Sequence, residues 1–430
     1  MKPQINIGLI GLGTVGTGAL KVLLENKAQI ERMVGSRVEV VKIADLDITT
    51  ERPVKFDKSL LTTNVNEVLD NPDVDIVIEL IGGVHPAKEF ILHALKNGKH
   101  VVTANKELIA KEGADILYEA GKNGLDFYFE GSVGGGIPIV TPLKWSLAAN
   151  RIQEVMGIVN GTTNYILTKM ANEGQDFAEA LAEAQEAGYA EKVDPSSDIE
   201  GLDAKYKIAI LASIAFHSRV NVEDIYAEGI TKISRRDIDY ARQSGYVIKL
   251  LAIAKQNGDK IQIRVHPTFI PSSHPLASVN DVYNAIYVRG DFVQDVMFYG
   301  RGAGSLPTGS AVAGDVIDIA RNINFGASGR LPCTCFDKKE VEDMNDVTSK
   351  YYIRMLVADR PKVLAGIANV FGDHDVSIAT VAQEDLHGDN AEIVMITHKV
   401  VERNFRRAIG LISKLPVVAE VCNWIRVEES

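Results

Sequence analysis

A glycine turn close to the start of the chain constrains its fold more than any other feature of the sequence. The turn follows the strand-like run Ile5–Ile10 and opens a helical pattern. In such a strand–turn–helix unit the glycines permit a tight turn, close approach of the backbone to a pyrophosphate, and close packing of helix on strand. The pattern therefore predicts a dinucleotide-binding unit, and a glycine turn without a ligand is the alternative. The residues of the turn are Gly11, Leu12, Gly13, Thr14, Val15 and Gly16.

Short β-branched runs alternate with helical patterns through the first third of the chain. Alternation of this kind predicts an α/β fold with a Rossmann-type parallel sheet that helices cover on both faces. The strand-like runs are Ile5–Ile10, Val38–Ala44, Val74–Leu80, His100–Thr103 and Asp126–Phe129, and the helical runs are Val15–Ile30, Pro86–Asn97 and Lys106–Lys122.

The carboxyl ends of these strands form the expected ligand-binding edge of the sheet. Asp45 follows the second strand, where a carboxylate can accept hydrogen bonds from the ribose 2′-hydroxyl of NAD; a solvated loop acid is the other interpretation. Arg52 or Lys55 could instead accommodate the 2′-phosphate of NADP, so the choice between NAD and NADP stays open. Other positions that follow strands and are expected at the cofactor are Gly82, Ala104 and Lys106. Taken alone, Lys106 is more often an exposed surface lysine than a contact of cofactor and substrate.

The later part of the chain follows two further patterns. From about residue 152 the runs are typical of an α+β domain, and the final segment has the strand and helix order βαββαβ of a ferredoxin-like domain. We therefore expect a dinucleotide-binding domain at 1–135, to which the chain returns at about 300–325. An α+β domain at 136–300, a linker at 326–349 and a ferredoxin-like domain at 350–430 are expected to follow.

Composition excludes several classes of protein. The 430 residues carry a net charge of −11, which argues against nucleic acid and anionic membranes as partners. No apolar run approaches the roughly 20 residues that span a bilayer. Three cysteines are too few for a disulfide scaffold, and Cys333 and Cys335 lack the further ligands of a zinc site. We expect a cytoplasmic protein, in which the role of this cysteine pair is open.

A cluster of acidic residues precedes a helical run that carries both Asp203 and Lys207. At a spacing of i and i+4, these two side chains share one face of a helix. They form either a surface ion pair or a lysine that carboxylates orient for proton transfer to an oxygen that receives hydride. The spacing alone does not decide between the two.

The same stretch resembles the signature of homoserine dehydrogenases. Other segments resemble that family in order along the chain, among them VVTANKELIA at 101–110, NGTTNYIL at 160–167 and GRGAGSLPTGSAV at 300–312. The resemblance implies reversible, NAD(P)-dependent reduction of L-aspartate 4-semialdehyde to L-homoserine, in threonine, methionine and isoleucine biosynthesis. The residues that match the signature are Ala184, Gly188, Tyr189, Asp194, Pro195, Asp198, Ile199, Gly201, Asp203 and Lys207.

The resemblance also implies roles for single residues. Lys207 is expected to be the acid/base that protonates the developing alkoxide, and Lys106 the second lysine, in contact with cofactor and substrate. Glu191 and Asp203 are expected to bind the α-ammonium group and to orient Lys207. The remaining implied contacts are Gly161, Thr162 and Tyr189 for the amino acid and Gly302 for the cofactor.

A glycine-rich segment at 130–139 resembles the family's sodium-binding loop. The implied ligands are the carboxylate of Glu130 and the carbonyls of Val133, Gly135 and Ile137. Oxygen ligands suit a hard cation, and its role would be structural. Taken without the resemblance, such a run of glycines is most often a permissive turn.

Residues 352–428 resemble an ACT domain, a small amino-acid-sensing module, through the βαββαβ order and the segment at 359–365. In homoserine dehydrogenases this extension implies feedback inhibition by L-threonine, and a module kept for assembly is the alternative. Lys362 stands where glycine is usual, in the loop that approaches the ligand. The resemblance further implies that 136–300 is a substrate-binding and dimerisation domain, that 350–430 is a regulatory domain, and that the protein is a homodimer or a homotetramer.

Two other functions compete with homoserine dehydrogenase activity. A related oxidoreductase such as aspartate-semialdehyde dehydrogenase needs an activated cysteine thiolate, whereas Cys333, Cys335 and Cys422 lie outside every motif above. A non-catalytic regulator that binds an amino acid and a dinucleotide would not need the two lysines and the two acids of the implied active site.

Overall fold

The structure, a computed structural model, describes residues 1–385 and 390–429. Residues 386–389 and 430, which belong to the predicted regulatory domain, lie outside the described residues. The chain divides into two compact units. The first unit comprises Met1–Val155, Tyr206–Glu223 and Asn284–Lys339, and the second comprises Met156–Lys205, Asp224–Tyr283 and Glu340–Ser430.

Strands and helices are numbered in chain order. The strands are β1 (Gln4–Ile10), β2 (Arg37–Ala44), β3 (Leu61–Thr62), β4 (Ile76–Glu79), β5 (His100–Thr103), β6 (Phe127–Tyr128), β7 (Ile152–Ile158), β8 (Tyr226–Ala227), β9 (Tyr246–Asn257), β10 (Lys260–Pro271), β11 (Tyr283–Gly290), β12 (Gln294–Arg301), β13 (Glu340–Val341), β14 (Thr348–Ala358), β15 (Ile378–Asp385), β16 (Asn390–Thr397), β17 (Val400–Val401) and β18 (Val418–Val427). The helices are α1 (Thr14–Glu25), α2 (Lys27–Val34), α3 (Asn66–Leu69), α4 (Ala87–Lys96), α5 (Lys106–Lys122), α6 (Gly161–Glu173), α7 (Phe177–Glu186), α8 (Ser196–Ile199), α9 (Leu202–Ala215), α10 (Arg235–Gln243), α11 (Ser305–Phe325), α12 (Val363–Gly372) and α13 (Glu402–Ile412). Among the helices of the described residues, none combines the length and the apolar character needed to cross a bilayer.

The first unit is built on a six-stranded parallel sheet with the strand order β3-β2-β1-β4-β5-β6. Every residue of β4 and β5 is buried, and neither strand shows the alternation of apolar and polar residues that marks a half-exposed strand. The predicted Rossmann-type parallel sheet is confirmed. Because β1 lies between β2 and β4, the strand order reverses beside β1, and the glycine turn follows β1 at the edge where such sheets bind ligands.

Helix α11 packs against α1 on one face of this sheet. Val312 and Val316 of α11 lie in the same apolar core as Ile7 of β1 and Leu20 of α1. The two helices approach closely through glycine, since a Cβ atom on Gly309 would lie 2.5 Å from the backbone of α1. A segment far along the chain therefore completes the core under the glycine turn.

The second unit contains a long antiparallel hairpin and the ACT module. Strands β9 and β10 pair over their full length, and β10 continues into the ACT sheet by parallel pairing with β18. Strands β18, β14, β16 and β15 follow in antiparallel order. The predicted βαββαβ order is confirmed, with the small strand β17 added before α13. Tyr351, Phe371 and Phe405 form the centre of the core between this sheet and its two helices.

Candidate active site

The glycine turn has the geometry of a dinucleotide-binding loop. Gly11 has a positive φ of 92°, and a Cβ atom there would lie 2.8 Å from the carbonyl of Leu80. A Cβ atom on Gly16 would lie 2.0 Å from the carbonyl oxygen of Gly11, so both glycines are required by the turn itself. Gly13, at the N-terminus of α1, would place a Cβ atom in open space, with nothing within 4 Å. The protein leaves this space free, as close approach of a pyrophosphate to the helix N-terminus requires.

Asp45 lies directly beside this loop. Its carboxylate accepts hydrogen bonds from the backbone amide of Leu12 and, at 2.8 Å, from that of Asp47. The acid therefore holds the glycine turn in place, and its contact with a ribose hydroxyl stays a prediction.

A cavity of about 320 Å³ opens next to Leu12 and Asp47. Arg52, Lys55 and Lys58 contribute three cations to its lining. The guanidinium of Arg52 donates to Asp47 at 3.2 Å, and its Nε atom is buried without a hydrogen-bond partner among the described residues. The lining also includes the carboxylates of Asp47 and Glu51, so the three cations leave one net positive charge, which suits an anionic group.

The ends of β4 and β5 are held together by a carboxylate that sequence reasoning missed. Glu79 is fully buried and accepts hydrogen bonds from Thr103 at 2.8 Å and from the backbone amide of Ile81 at 2.8 Å. Burial raises the pKa of Glu79, although these donors oppose the shift. The sequence signal that could have indicated this role is a glutamate near the end of the apolar run VDIVIEL.

Lys106 is the first residue of α5 and is partly buried. The preceding residue, Asn105, caps the helix by accepting from the amide of Leu108 at 3.1 Å. Its side-chain amide donates to the carbonyl of Gly83 at 2.5 Å, which ties the start of α5 to the loop after β4. In that loop Gly82 has a positive φ of 76° and open space at its Cβ position, whereas Ala104 follows β5 directly.

In the second unit, Asn160 organises the predicted substrate-binding residues. Its side-chain oxygen caps α6 by accepting from the amide of Thr163 at 2.9 Å. Its side-chain nitrogen donates to Asp198 at 2.7 Å and to Asp203 at 2.9 Å. One asparagine thus joins the start of α6, at Gly161, to two acids of the signature. Sequence reasoning missed this role, although an asparagine before a helix is a recognisable cap.

Thr162 connects the same helix to the loop after α7. Its hydroxyl lies 2.6 Å from the carbonyl of Tyr189 and 3.1 Å from the carboxylate of Asp198. The ring of Tyr189 is 46% exposed and packs on that of Tyr165, with 5.0 Å between the centroids. Glu191 is exposed, so the structure leaves its carboxylate accessible to a ligand.

Asp203 and Lys207 lie one turn apart on α9, and both are buried, with exposed fractions of only 4% and 8%. Lysine and aspartate are seldom buried unless they are paired or functional. The interpretation as a surface ion pair is therefore wrong.

The Glu130 carboxylate, an implied sodium ligand, is engaged by backbone amides, and its role as a ligand stays a prediction. Its carboxylate accepts hydrogen bonds from the backbone amides of Ile139, Val140 and Thr141 at 2.5, 2.8 and 2.7 Å. It therefore acts as a cap on the turn of helix that begins there. Across residues 1–385 and 390–429, no group of three or more histidine, cysteine or acidic side chains could hold a metal ion. The carbonyls of Val133, Gly135 and Ile137 as sodium ligands stay a prediction.

Gly302 lies after β12 and is buried. A Cβ atom there would lie 1.9 Å from the side chain of Asn284, and a Cβ atom on Gly135 would lie 2.5 Å from the carbonyl oxygen of Gly302. Packing alone therefore requires glycine at this position, and the implied cofactor contact stays a prediction.

Comparison with known proteins finds similar sequences and structures along nearly the whole chain. Family models match for the homoserine dehydrogenase NAD binding domain at residues 11–130, for homoserine dehydrogenase at 138–317 and for the ACT domain at 351–417. A homoserine dehydrogenase of Synechocystis is 46% identical over 98% of this chain and 99% of its own. The chain belongs to the homoserine dehydrogenase family.

Solved structures of homoserine dehydrogenases share the fold. The enzyme from Thiobacillus denitrificans has a TM-score of 0.92 and 42% identity, covering 99% of this chain and 98% of its own. A hyperthermophilic archaeal homoserine dehydrogenase, solved in complex with NADPH, has a TM-score of 0.62 and 28% identity, covering 74% of this chain and 97% of its own. As a member of this family the protein is an oxidoreductase with a nicotinamide dinucleotide cofactor. Membership in the family confirms the predicted homoserine dehydrogenase over a related oxidoreductase and over a non-catalytic regulator.

Proposed function

We propose that this homoserine dehydrogenase interconverts L-aspartate 4-semialdehyde and L-homoserine, with Lys207 as the group that transfers the proton. The observation that carries the proposal is the burial of Lys207 one turn after Asp203 on α9. An ammonium group held inside the protein near a carboxylate stays oriented, which a flexible surface lysine does not. In reduction it donates a proton to the aldehyde oxygen as negative charge develops there.

The acids of the signature would bind the amino-acid end of the substrate. Asp203 is held by Asn160, and the exposed carboxylate of Glu191 remains accessible to the α-ammonium group. The N-terminus of α6, at Gly161 and Thr162, presents backbone amides that suit the α-carboxylate. Binding both ends fixes the aldehyde carbon, and this positioning supplies much of the rate enhancement.

The residues of the first unit fit a nicotinamide dinucleotide. When bound, this cofactor supplies or accepts the hydride. The glycine turn would hold the pyrophosphate, and Lys106 would lie near the reacting groups. The cavity lined by Arg52, Lys55 and Lys58 supports a preference for NADP, since cations favour a 2′-phosphate.

Replacement of Lys207 tests the proposed chemistry. Lys207→Ala is expected to lower kcat for NADPH oxidation with aspartate semialdehyde by at least ~10²-fold, the usual scale of acid–base catalysis. Cofactor affinity, measured by NADPH fluorescence, should change little. Lys205→Ala, two residues earlier on the same helix, is the matched control and should keep its turnover. Turnover of Lys207→Ala near that of the control would exclude the role of Lys207.

Replacement of Arg52 tests the cofactor preference. Arg52→Gln is expected to raise KM for NADPH about tenfold, as the loss of one charge-assisted contact to a phosphate predicts, and to leave KM for NADH unchanged. Equal effects on the two cofactors would contradict a contact with the 2′-phosphate.

The ACT module supports regulation by a small-molecule effector, and L-threonine is the proposed one. Steady-state rates with and without threonine test this, and unchanged rates would favour the role in assembly. Sedimentation of the full chain would distinguish the proposed dimer and tetramer. A cytoplasmic location stays a prediction.

A further inference from the structure

The segment Cys333-Thr334-Cys335 is the one cysteine motif that the proposed reaction does not use. Cys333 is exposed and Cys335 is half-buried. The guanidinium of Arg219 lies 3.5 Å from the sulfur of Cys333, and the thiol of Cys335 lies 3.5 Å from the carbonyl of Ser213 on α9. The two cysteines therefore have different surroundings, one open to solvent and one against a helix.

The neighbouring residues fix this segment on the end of α9. The amide of Asp337 donates to the carbonyl of His217 at 2.8 Å, and the ring of Phe336 stacks on that of His217 with 4.6 Å between the centroids. The amide of Phe336 donates to the carbonyl of Thr334 at 3.1 Å, so the chain turns at Cys335. The turn brings the two cysteine side chains within hydrogen-bond contact of each other.

The charges around the pair make the two thiols unequal. A hydrogen bond from Cys335 is the main cause that lowers the pKa of Cys333 to about 5, with Arg219 and Lys144 contributing against the opposing effect of burial. The hydrogen bond to Cys333, together with burial, raises the pKa of Cys335. These effects favour the thiolate form of Cys333, with Cys335 as the neighbouring thiol.

A small cavity of about 20 Å³ adjoins both sulfur atoms. This volume holds roughly one water-sized molecule, and hydrogen peroxide is only slightly larger. Lys144 and Arg219 contribute cations to its lining, and the rest of the wall comes mainly from α5 and α9. These are the helices that carry Lys106 and Lys207.

We infer that Cys333 and Cys335 form a peroxide-sensitive dithiol, whose oxidation to an intramolecular disulfide lowers the activity of the enzyme. An exposed thiolate beside a second cysteine is the arrangement of redox-sensing cysteines. Thiol pairs that oxidise in reducing compartments act transiently in this way.

The chemistry balances with hydrogen peroxide as the oxidant. The Cys333 thiolate attacks one peroxide oxygen, the O–O bond breaks, and the hydroxide that leaves takes up a proton to become water. The sulfenic acid formed on Cys333 is then attacked by the sulfur of Cys335, which forms the S–S bond and breaks the S–O bond. The departing hydroxide takes the proton of Cys335. Two thiols lose two electrons, and one peroxide becomes two waters.

Formation of the bond disturbs the wall of the cavity. The S–S distance of a disulfide is about 2.05 Å, so the sulfur of Cys335 must move toward Cys333 and give up its contact with Ser213. Ser213 and Lys207 lie on the same helix, so α9 connects the dithiol to the proposed proton donor.

The test treats the full-length enzyme with a small excess of hydrogen peroxide and follows intact mass, free thiols and turnover together. We expect the mass to fall by two hydrogen atoms, the thiol count to fall from three to one, and turnover to fall roughly tenfold or more, as misplacement of a catalytic group predicts. Dithiothreitol should restore all three. Cys333→Ser and Cys335→Ser should keep their turnover in peroxide, whereas Cys422→Ser, the matched control, should respond like the wild type. Arg219→Gln should slow the loss of thiols.

Three results would overturn the inference. The first is a wild-type chain that gains oxygen or keeps its mass instead of losing two hydrogens. The second is a disulfide that leaves turnover unchanged, and the third is equal inhibition of Cys333→Ser and the wild type. The activity measurement rests on the proposed function, whereas the mass and thiol measurements do not. If the untreated enzyme shows no turnover, the proposed function is refuted. The mass and thiol measurements then still test the dithiol.

Discussion

Lys362 departs from the usual glycine of the ACT family at a position where the backbone conformation favours glycine. The sequence analysis identifies it as a lysine where glycine is usual, and the structure gives it a positive φ of 77° and ψ of −5° at the start of α12. The loop thus keeps the left-handed conformation although the side chain disfavours it.

Lys362→Gly is expected to stabilise the protein. Relief of the left-handed backbone contributes about 1–2 kcal/mol, and the greater freedom of glycine in the unfolded chain offsets about half of this. We expect the free energy of unfolding from urea titration to rise by roughly 0.5–1 kcal/mol. Lys414→Gly, at an exposed position without positive φ in the same module, should lower it instead. An equal change in both variants would show that strain at Lys362 is not the cause.

Asn160 offers a second prediction because its two side-chain atoms have separate roles. Asn160→Asp keeps an oxygen for the amide of Thr163 but replaces the donor to Asp198 and Asp203 by a third carboxylate. Like charges then disturb the orientation of Asp203, and we expect KM for homoserine to rise about tenfold or more. Circular dichroism should show an intact fold. An unchanged KM would remove Asn160 from the substrate site.

These residues also show the limit of sequence reasoning about the site. The motifs identified the glycine turn, Lys106, Asp203 and Lys207 because each has a fixed spacing in the chain. The roles of Glu79 and Asn160 depend on partners brought from other elements, at Thr103 in one case and at the two acids in the other. The spacing of residues along the sequence does not reveal contacts between residues of different elements.

At the scale of elements, strand and helix types could be predicted, but their ends depended on local caps. The predicted helix Val15–Ile30 is interrupted at Asn26, so that α1 ends at Glu25 and α2 follows from Lys27. Helix α11 begins six residues before the predicted Ala311, because Pro307 lies in its first turn, where no backbone donor is lost.

The packing of α1 on α11 gives a prediction that separates folding from cofactor binding. A Cβ atom on Gly18 would lie 2.0 Å from the carbonyl oxygen of Ser305, whereas one on Gly13 would meet nothing within 4 Å. Gly18→Ala should therefore lower the free energy of unfolding by about 1–3 kcal/mol, the usual cost of overpacking. Gly13→Ala should unfold like the wild type but bind NADPH more weakly, because its methyl group occupies the space left for the pyrophosphate. Thermal unfolding and NADPH titration of both variants check this, and equal stability of the two would contradict it.

At the scale of the whole molecule, the ACT module is continuous with the hairpin of the second unit. Strand β18 pairs with β10, and the amide of Glu428 donates to the carbonyl of Phe269 at 2.9 Å. The sequence indicated a linker before this module but not the pairing, since the partners lie far apart in the chain. The carboxylate of Glu428 completes the connection by pairing with Arg264 of β10 and, at 2.7 Å, with Lys255 of β9.

This ion pair predicts how stability depends on pH. Burial alone would raise the pKa of Glu428, but Arg264 and Lys255 outweigh it and lower the pKa to about 2 from 4.5. A carboxylate whose pKa is lower in the folded state contributes stability that is fully present above its unfolded value and is lost as protons bind in the folded state. The contribution should therefore be complete above about pH 4.5 and disappear as the pH falls to about 2.

Glu428→Gln isolates this contribution. At neutral pH the variant leaves Arg264 buried without its charged partner, and we expect a loss of about 3–5 kcal/mol in the free energy of unfolding. The difference from the wild type should shrink as the pH is lowered from 4.5 toward 2, because protonation then removes the same charge. Glu429→Gln removes the charge from a surface pair with Lys350 that also contacts Tyr246, and it should cost no more than about 1 kcal/mol. A difference between Glu428→Gln and wild type that stays constant over this pH range would show that the charge of Glu428 does not hold the ACT strand on β10.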